Sequence, residues 1–322
     1  MTYKKRALFA CPHGFCSGVR TSVEMCNKEL AYRKRTGKED GIYCYHNLVH
    51  NESVISDFRQ KGIVFTNDIE SIPYDSTIIF SAHGVSPEIR RIAEKKASYL
   101  IDTTCPMVKK VHREVKRFAS EGYNIILIGK EGHDEVIGTM SEAPDKVHVI
   151  EREEEVWKLP DWESKAAYVT QTTLNLTDCK QIIALLQRKY PSITGSSEGD
   201  VCRATKNRQE AIKLVCYKYH PEIFLIFGSS ESSNTNKLVE VAESCGVESY
   251  RLDDMSKFKM ELLDGKRTIG ISSGASVPEG IIDDAKTFFV HTGYDIKEIT
   301  FAEEEKGFPI PKDLRERWSR RL

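Results

Sequence analysis

Ile101-Asp102-Thr103-Thr104-Cys105-Pro106-Met107 is the stretch on which the fold turns. Tyr99 to Ile101 reads as the end of a strand, followed by a polar turn and a cysteine directly before a proline. Proline suits the first position of a helix, where its missing N–H would have no partner anyway. Beyond it, Val108, Val111, Val115, Phe118 and Ala119 recur at helical spacing and predict an amphipathic helix. Cys105 then stands at a helix N-terminus, where the helix dipole favours a thiolate, the form that attacks or binds metal. Taken alone, a cysteine is more often a buried, inert thiol.

The chain has 322 residues, enough for two or three domains with a substantial core. Its 47 basic and 48 acidic residues leave no charge excess that would mark a nucleic-acid or membrane partner. No apolar run reaches membrane-spanning length. Ala7-Leu8-Phe9-Ala10 is too short for a signal sequence and reads as a first strand, so a cytoplasmic location is expected. Nine cysteines without a Cys-x-x-Cys pair argue against a disulfide framework and against ribbon-type zinc sites.

Strand-like and helix-like segments alternate along the chain, and the strand-like runs are rich in Ile and Val without polar alternation. That pattern predicts parallel sheets covered on both faces, built from strand–helix–strand units. Strands are expected at Ala7–Ala10, Ile42–Tyr45, Ile63–Phe65, Thr77–Phe80, Asn124–Ile128, Val147–Ile150, Ala167–Val169, Ile223–Phe227 and Thr268–Ile271. Tyr190 to Gly199, rich in Ser and Gly, reads as a linker. From about Ile299 the periodicity fades, and the tail reads as a surface extension.

Cys16 and Cys202 stand in the same place as Cys105, just before a helix, and the three are spaced 89 and 97 residues apart. Each interval is about the length of a small α/β domain. The proposed division is a first domain over 1–103 with Cys16, a second over 104–199 with Cys105, a third over 200–298 with Cys202, and a tail over 299–322. Three thiolates meeting from three domains suggest an iron–sulfur cluster more than structural zinc, which usually takes four ligands, often in close pairs. A cubane cluster also usually takes four. With three, one iron lacks a protein ligand and stays open to substrate.

A second pattern lies in the loops after the strands. His50-Asn51, Ser81-Ala82-His83-Gly84, Gly132-His133, Thr170-Gln171-Thr172-Thr173, Ser232-Ser233-Asn234 and Ser276 all fall at strand C-terminal ends. Ligands of open α/β sheets bind there, beside helix N-termini. Each loop alone is more often a plain turn, but their recurrence makes a donor-rich wall suited to phosphate. No lysine-bearing phosphate loop is present, so a nucleotide is not implied.

These residues resemble the 4-hydroxy-3-methylbut-2-enyl diphosphate reductase (LytB) family. The resemblance rests on Gly14-Phe15-Cys16-Ser17-Gly18-Val19, Val49-His50-Asn51, Phe80-Ser81-Ala82-His83-Gly84-Val85-Ser86, Thr104-Cys105-Pro106, Gly132-His133 with Glu135, Thr170-Gln171-Thr172-Thr173-Leu174, Asn207-Arg208-Gln209-Glu210, Ser232-Ser233-Asn234-Thr235-Asn236 and Gly274-Ala275-Ser276. It implies a trefoil of three pseudo-symmetric α/β domains, each with a small parallel sheet, around one [4Fe-4S] cluster held by Cys16, Cys105 and Cys202. It implies a substrate diphosphate held by His50, His83, His133, Ser232, Ser233, Asn234 and Ser276, with Glu135 as proton donor and Thr172 positioning the substrate hydroxyl. The implied reaction is reductive dehydroxylation to isopentenyl and dimethylallyl diphosphates, the last step of the non-mevalonate route. Electrons would come from ferredoxin or flavodoxin.

Several positions depart from the family pattern. Cys11 and His13 stand where Asn and Arg are usual, Arg20 replaces Asp, Arg203 stands where an aromatic is common, and Asp134 and Ile137 flank Glu135 in place of Pro and Glu. None removes an implied cluster ligand or substrate contact, but such neighbours tune potential and ligand orientation. Two alternatives therefore stay open: a paralogue reducing another allylic diphosphate, and a non-catalytic iron–sulfur sensor.

Overall fold

The computed structural model describes residues 4–162, 165–195, 199–304 and 307–319. In chain order the elements are β1 (Arg6–Cys11), α1 (Ser17–Thr36), β2 (Ile42–Tyr45), α2 (Glu52–Gln60), β3 (Val64–Thr66), β4 (Ser76–Phe80), α3 (Pro87–Lys96), β5 (Ala97–Asp102), α4 (Pro106–Ser120), β6 (Asn124–Ile128) and α5 (Asp134–Met140). There follow β7 (Val147–Ile150), β8 (Ala166–Thr170), α6 (Leu176–Lys189), α7 (Arg203–Tyr219), β9 (Ile223–Phe227), α8 (Ser233–Ser244), β10 (Ser249–Leu252), β11 (Thr268–Ser273), α9 (Glu279–His291), β12 (Asp295–Thr300) and α10 (Lys312–Ser319).

The strands form three parallel sheets, ordered β10-β9-β11-β1-β12, β3-β2-β4-β5 and β7-β6-β8. The α/β architecture with three small parallel sheets is therefore as the sequence predicts. The chain folds as two compact units: the described residues of Met1–Ser17, His50–Glu52 and Cys202–Lys306 make one, and Gly18–Val49, Ser53–Val201 and Gly307–Leu322 make the other.

The first unit is built on the five-stranded sheet. Every residue of β9 is buried, because both faces are covered. Ile223, Leu225 and Phe227 pack with Ala7, Phe9, Ile269 and Ile271 against Ile282, Ala285 and Phe289 of α9. Phe224 and Ile226 point the other way, with Leu8 and Ala10, onto α7 and α8 through Ile212, Val215, Leu238 and Val241. β1 sits between β11 and β12, so the first strand of the chain belongs to the sheet of its last segment. The edge strands β10 and β12 carry few buried apolar side chains, which is why no apolar run announces them.

In the second unit, the opening heptapeptide forms the predicted strand–turn–helix. Asp102 ends β5 and its carboxylate accepts from the Thr104 amide at 3.0 Å, closing the turn. Burial opposes its ionisation, but Lys109, Thr104 and Arg90 outweigh that and hold it down to about 2. Thr103 ties the turn back by donating to the Phe80 carbonyl at 2.6 Å. Cys105 is the N-cap of α4, Pro106 takes the first helical turn, and Val108, Val111, Val115 and Phe118 are buried. Ser86 caps α3 as expected, accepting from the Ile89 amide.

Two expectations are corrected. The tail is not featureless: α10 buries Leu314 and Trp318, and Arg317 and Trp318 donate to the fully buried Glu29 of α1. Only two apolar side chains, four residues apart, anchor this helix, too few to show as a periodic stripe. The Tyr190–Gly199 stretch is not simply a linker, since Thr194 exchanges backbone hydrogen bonds with β8; Ser196–Glu198 lie outside the described residues.

Candidate active site

In the first unit the loops after β1, β9 and β11 leave the C-terminal ends of adjacent strands. Gly14 turns the first of these with φ +73°, a conformation costly for any other residue, and donates to Ser273 at 2.7 Å. The Cys16 amide donates to the Ala275 carbonyl at 2.9 Å, and Cys16 directly precedes α1. Cys202 is the N-cap of α7, its sulfur accepting from the Thr205 amide at 3.4 Å and donating to Thr205 Oγ1 at 3.2 Å. Burial opposes the charge on Arg208, but Glu304, and after it Cys16 and Cys202, outweigh that and raise its guanidinium above its ordinary value. Arg208 is fully buried, pairs with Glu304 and donates to the Gly14 carbonyl at 2.9 Å.

The same unit gathers five of the expected diphosphate contacts. Ser232 caps α8, accepting from the Thr235 amide at 3.2 Å. Ser233 and Asn234 form the first turn of that helix. Asn234 is more constrained than its motif suggests: Oδ1 accepts from the Ala275 amide at 2.9 Å and Nδ2 donates to Thr205 at 3.3 Å. One amide proton remains for a ligand. Ser276 donates to the His50 carbonyl at 3.1 Å, joining two residues far apart in sequence. Thr235 Oγ1 is buried without a hydrogen-bond partner and faces Gly228 and Gly274, where a Cβ would lie 2.3 and 2.1 Å from it. The close approach explains both glycines.

In the second unit, Glu135 and Thr172 come together. Glu135 lies on α5, only 3% exposed, and receives the Thr172 amide on Oε1 at 2.7 Å and the Thr172 hydroxyl on Oε2 at 3.1 Å. Burial pushes its carboxyl up to about 7 against the opposing pull of these bonds. At neutral pH the group is therefore poised between acid and base. His133 caps α5, its Nδ1 accepting from the Glu135 amide at 3.1 Å, which leaves Nε2 as the protonated, donating nitrogen of the neutral ring. The rings of His83 and His133 meet edge to face, 5.7 Å apart. Cys105 is next to this pair in the fold, its amide donating to the Ala82 carbonyl at 3.0 Å. The departures Ile137 and Arg203 are both exposed side chains, at α5 and at the start of α7.

The cysteines sort themselves by environment. No disulfide joins any of the nine. Cys26, Cys44, Cys179 and Cys216 are buried within elements, and burial raises the thiols of Cys26, Cys44 and Cys216. Cys245 is partly exposed but stands at the C-terminal end of α8. Cys16, Cys105 and Cys202 alone combine partial exposure with a helix N-terminus. Thiols so placed have the donor chemistry of metal ligands. Thr205 and Arg208 had no role assigned from sequence. The only signal was the Asn207-Arg208-Gln209-Glu210 motif, which does not say that Arg208 reaches back to the Gly14 turn.

Parallel sheets with polar loops at their strand ends, and thiols at helix N-termini, define an α/β protein of the class that takes ligands at its strand ends. The chain belongs to the LytB protein family, whose profile matches residues 7–289. It is 40% identical over 314 residues to the 4-hydroxy-3-methylbut-2-enyl diphosphate reductase of Azoarcus sp. (strain BH72), across 96% of this chain and 97% of that protein. It is 40% identical over 315 residues to the enzyme of the same name from Corynebacterium diphtheriae, across 97% and 92%. The solved structure of the E-1-hydroxy-2-methyl-but-2-enyl-4-diphosphate reductase from Plasmodium falciparum superposes with a TM-score of 0.91 at 36% identity, covering 97% of this chain and 98% of that one. Membership of this family implies an iron–sulfur enzyme.

Proposed function

We propose that this protein reduces (E)-4-hydroxy-3-methylbut-2-enyl diphosphate to isopentenyl and dimethylallyl diphosphates, the closing step of the non-mevalonate isoprenoid route. The observation that carries it is Glu135, a buried carboxyl held near neutrality and fixed by two hydrogen bonds from Thr172. A sensor that had lost the chemistry would have no use for such a group.

Cys16, Cys105 and Cys202 would hold one [4Fe-4S] cluster, which would supply the electrons singly. The overall step consumes two electrons and two protons, breaks the allylic C–O bond and releases the oxygen as water. Glu135 gives a proton to the departing hydroxyl oxygen, turning a poor leaving group into water. Thr172 orients that hydroxyl and holds the Glu135 carboxyl in one rotamer. His50, His83, His133, Ser232, Ser233, Asn234 and Ser276 bind the diphosphate, and the α8 N-terminus adds its dipole. Binding energy gathered on the diphosphate, remote from the bond that breaks, positions the reacting end. Arg208 steadies the Gly14 turn before Cys16 by donating to the Gly14 carbonyl.

Ferredoxin or flavodoxin is the proposed electron donor and the cytoplasm the proposed location; among the described residues no helix is long and apolar enough to cross a membrane. Anaerobic reconstitution with iron and sulfide, followed by assay with a chemical reductant and the hydroxylated C5 diphosphate, tests the function. Turnover by the loaded protein is expected, and its absence at full cluster content would sink the proposal. Cys105→Ser should lose the cluster's visible absorbance; a retained band would show that the ligand set is wrong.

A further inference from the structure

A second group of metal-binding side chains lies in the first unit, outside the residues used above. Cys11 ends β1, His13 follows two residues on, and Glu298 stands on the neighbouring β12, where the register pairs Phe9 with Glu298 and Cys11 with Thr300. One donor atom from each of Cys11, His13 and Glu298 lies within 4.8 Å of the others. Tetrahedral zinc, with bonds of about 2.0–2.3 Å, sets its donors about 3.5 Å apart, so a contraction of about 1 Å would close the three around one ion.

The chemistry of the three side chains favours that closure. His13 Nε2 is buried and makes no hydrogen bond, 3.9 Å from Glu298 Oε1. A buried imidazole nitrogen without a partner is costly, and a metal relieves it. Burial and the Lys286 charge push His13 down to about 4, so the ring is neutral and has a lone pair to give. Burial and Glu298 push the Cys11 thiol up to about 11, and its sulfur donates to the Phe9 carbonyl at 3.4 Å. A divalent ion would replace that proton, which leaves to solvent as the metal–sulfur bond forms. Lys286 competes, since its ammonium already reaches Glu298 Oε1 at 2.7 Å. The site must therefore draw its affinity from sulfur and imidazole, which selects zinc-like ions over magnesium or calcium.

We propose that Cys11, His13 and Glu298 form a binding site for one zinc-like divalent cation, with a fourth position left to water. The site is made by β1, β12 and the turn after β1, and does not depend on the reductase activity. To test it, cluster-loaded protein is titrated anaerobically with Co2+. One Co2+ per chain beyond the cluster iron is expected, with thiolate-to-cobalt charge-transfer absorption that Zn2+ bleaches. Cys11→Ser should abolish that absorption while iron content and cluster absorbance stay unchanged. Loss of a mere supporting partner weakens metal sites about 10- to 100-fold, so Glu298→Gln, which removes a donor outright, should weaken cobalt binding by at least about tenfold. No charge-transfer band in the wild type, or a band of equal strength in Cys11→Ser, would overturn the proposal. Glu298 is half-exposed, so Glu298→Gln keeps the test decisive if Cys11→Ser folds poorly, and an unchanged affinity there would overturn it too.

Discussion

Glu135 shows how one side chain acquires a role from its surroundings. An ordinary glutamate is ionised at neutral pH and has no proton to give, but burial holds this one near 7. Because the protonated form gives the proton, kcat should fall as pH rises through about 7. Glu135→Gln should remove turnover while leaving substrate binding largely intact, and a variant with normal turnover would refute the proton-donor role. Thr172→Val deletes one of the two bonds that stabilise the carboxylate, so the alkaline limb of the rate profile should move to higher pH. The same carboxyl leaves a mark on stability. Between about pH 4.5 and 7 the folded chain keeps a proton that the unfolded chain has lost. Stability contributed by the group is thus full below about 4.5 and is lost as pH rises to about 7, by about 3 kcal/mol. Urea midpoints measured across that window should slope down in the wild type and lose this component in Glu135→Gln.

The elements that bear the site differ in how visible they were. α4 announced itself through Pro106 and a regular apolar face. α5, which carries Glu135, did not: its seven residues include Gly138 and are too short to display a period. β12 was hidden because Asp295, Lys297, Glu298 and Thr300 of this edge strand are polar and exposed. Between α8 and the strands β9 and β11, packing is tight enough to predict from one atom. A Cβ on Gly274 would lie 2.1 Å from Thr235 Oγ1. Gly274→Ala should therefore cost about 1–3 kcal/mol. Thr235→Ala in the same chain should restore most of it, a non-additivity that a double-mutant cycle in urea would measure.

At the scale of the molecule, the helix α10 is drawn into the fold by charge as much as by apolar contact. Glu29 is fully buried in α1 and is neutralised by Arg317 at 2.8 Å, with Trp318 donating at 2.8 Å. Removing residues 311–322 would strand that carboxylate, at an expected cost of about 3–5 kcal/mol, and Glu29→Gln in the truncated chain should recover much of it. Unfolding midpoints of the three proteins would decide it. The amino-acid sequence by itself determined the α/β class, most strands, the helix starts at Cys105 and Cys202, and the motifs that mark the family. These follow from short-range rules of periodicity, capping and spacing, which a linear sequence carries. Tertiary structure alone decided that β1 joins the sheet of the last segment, that Ser276 meets the His50 carbonyl, and that Arg208 reaches the Gly14 turn. It also decided that Glu135 is a weak acid near neutrality. Each of these depends on which distant residues meet, and that is a property of packing that no local pattern encodes.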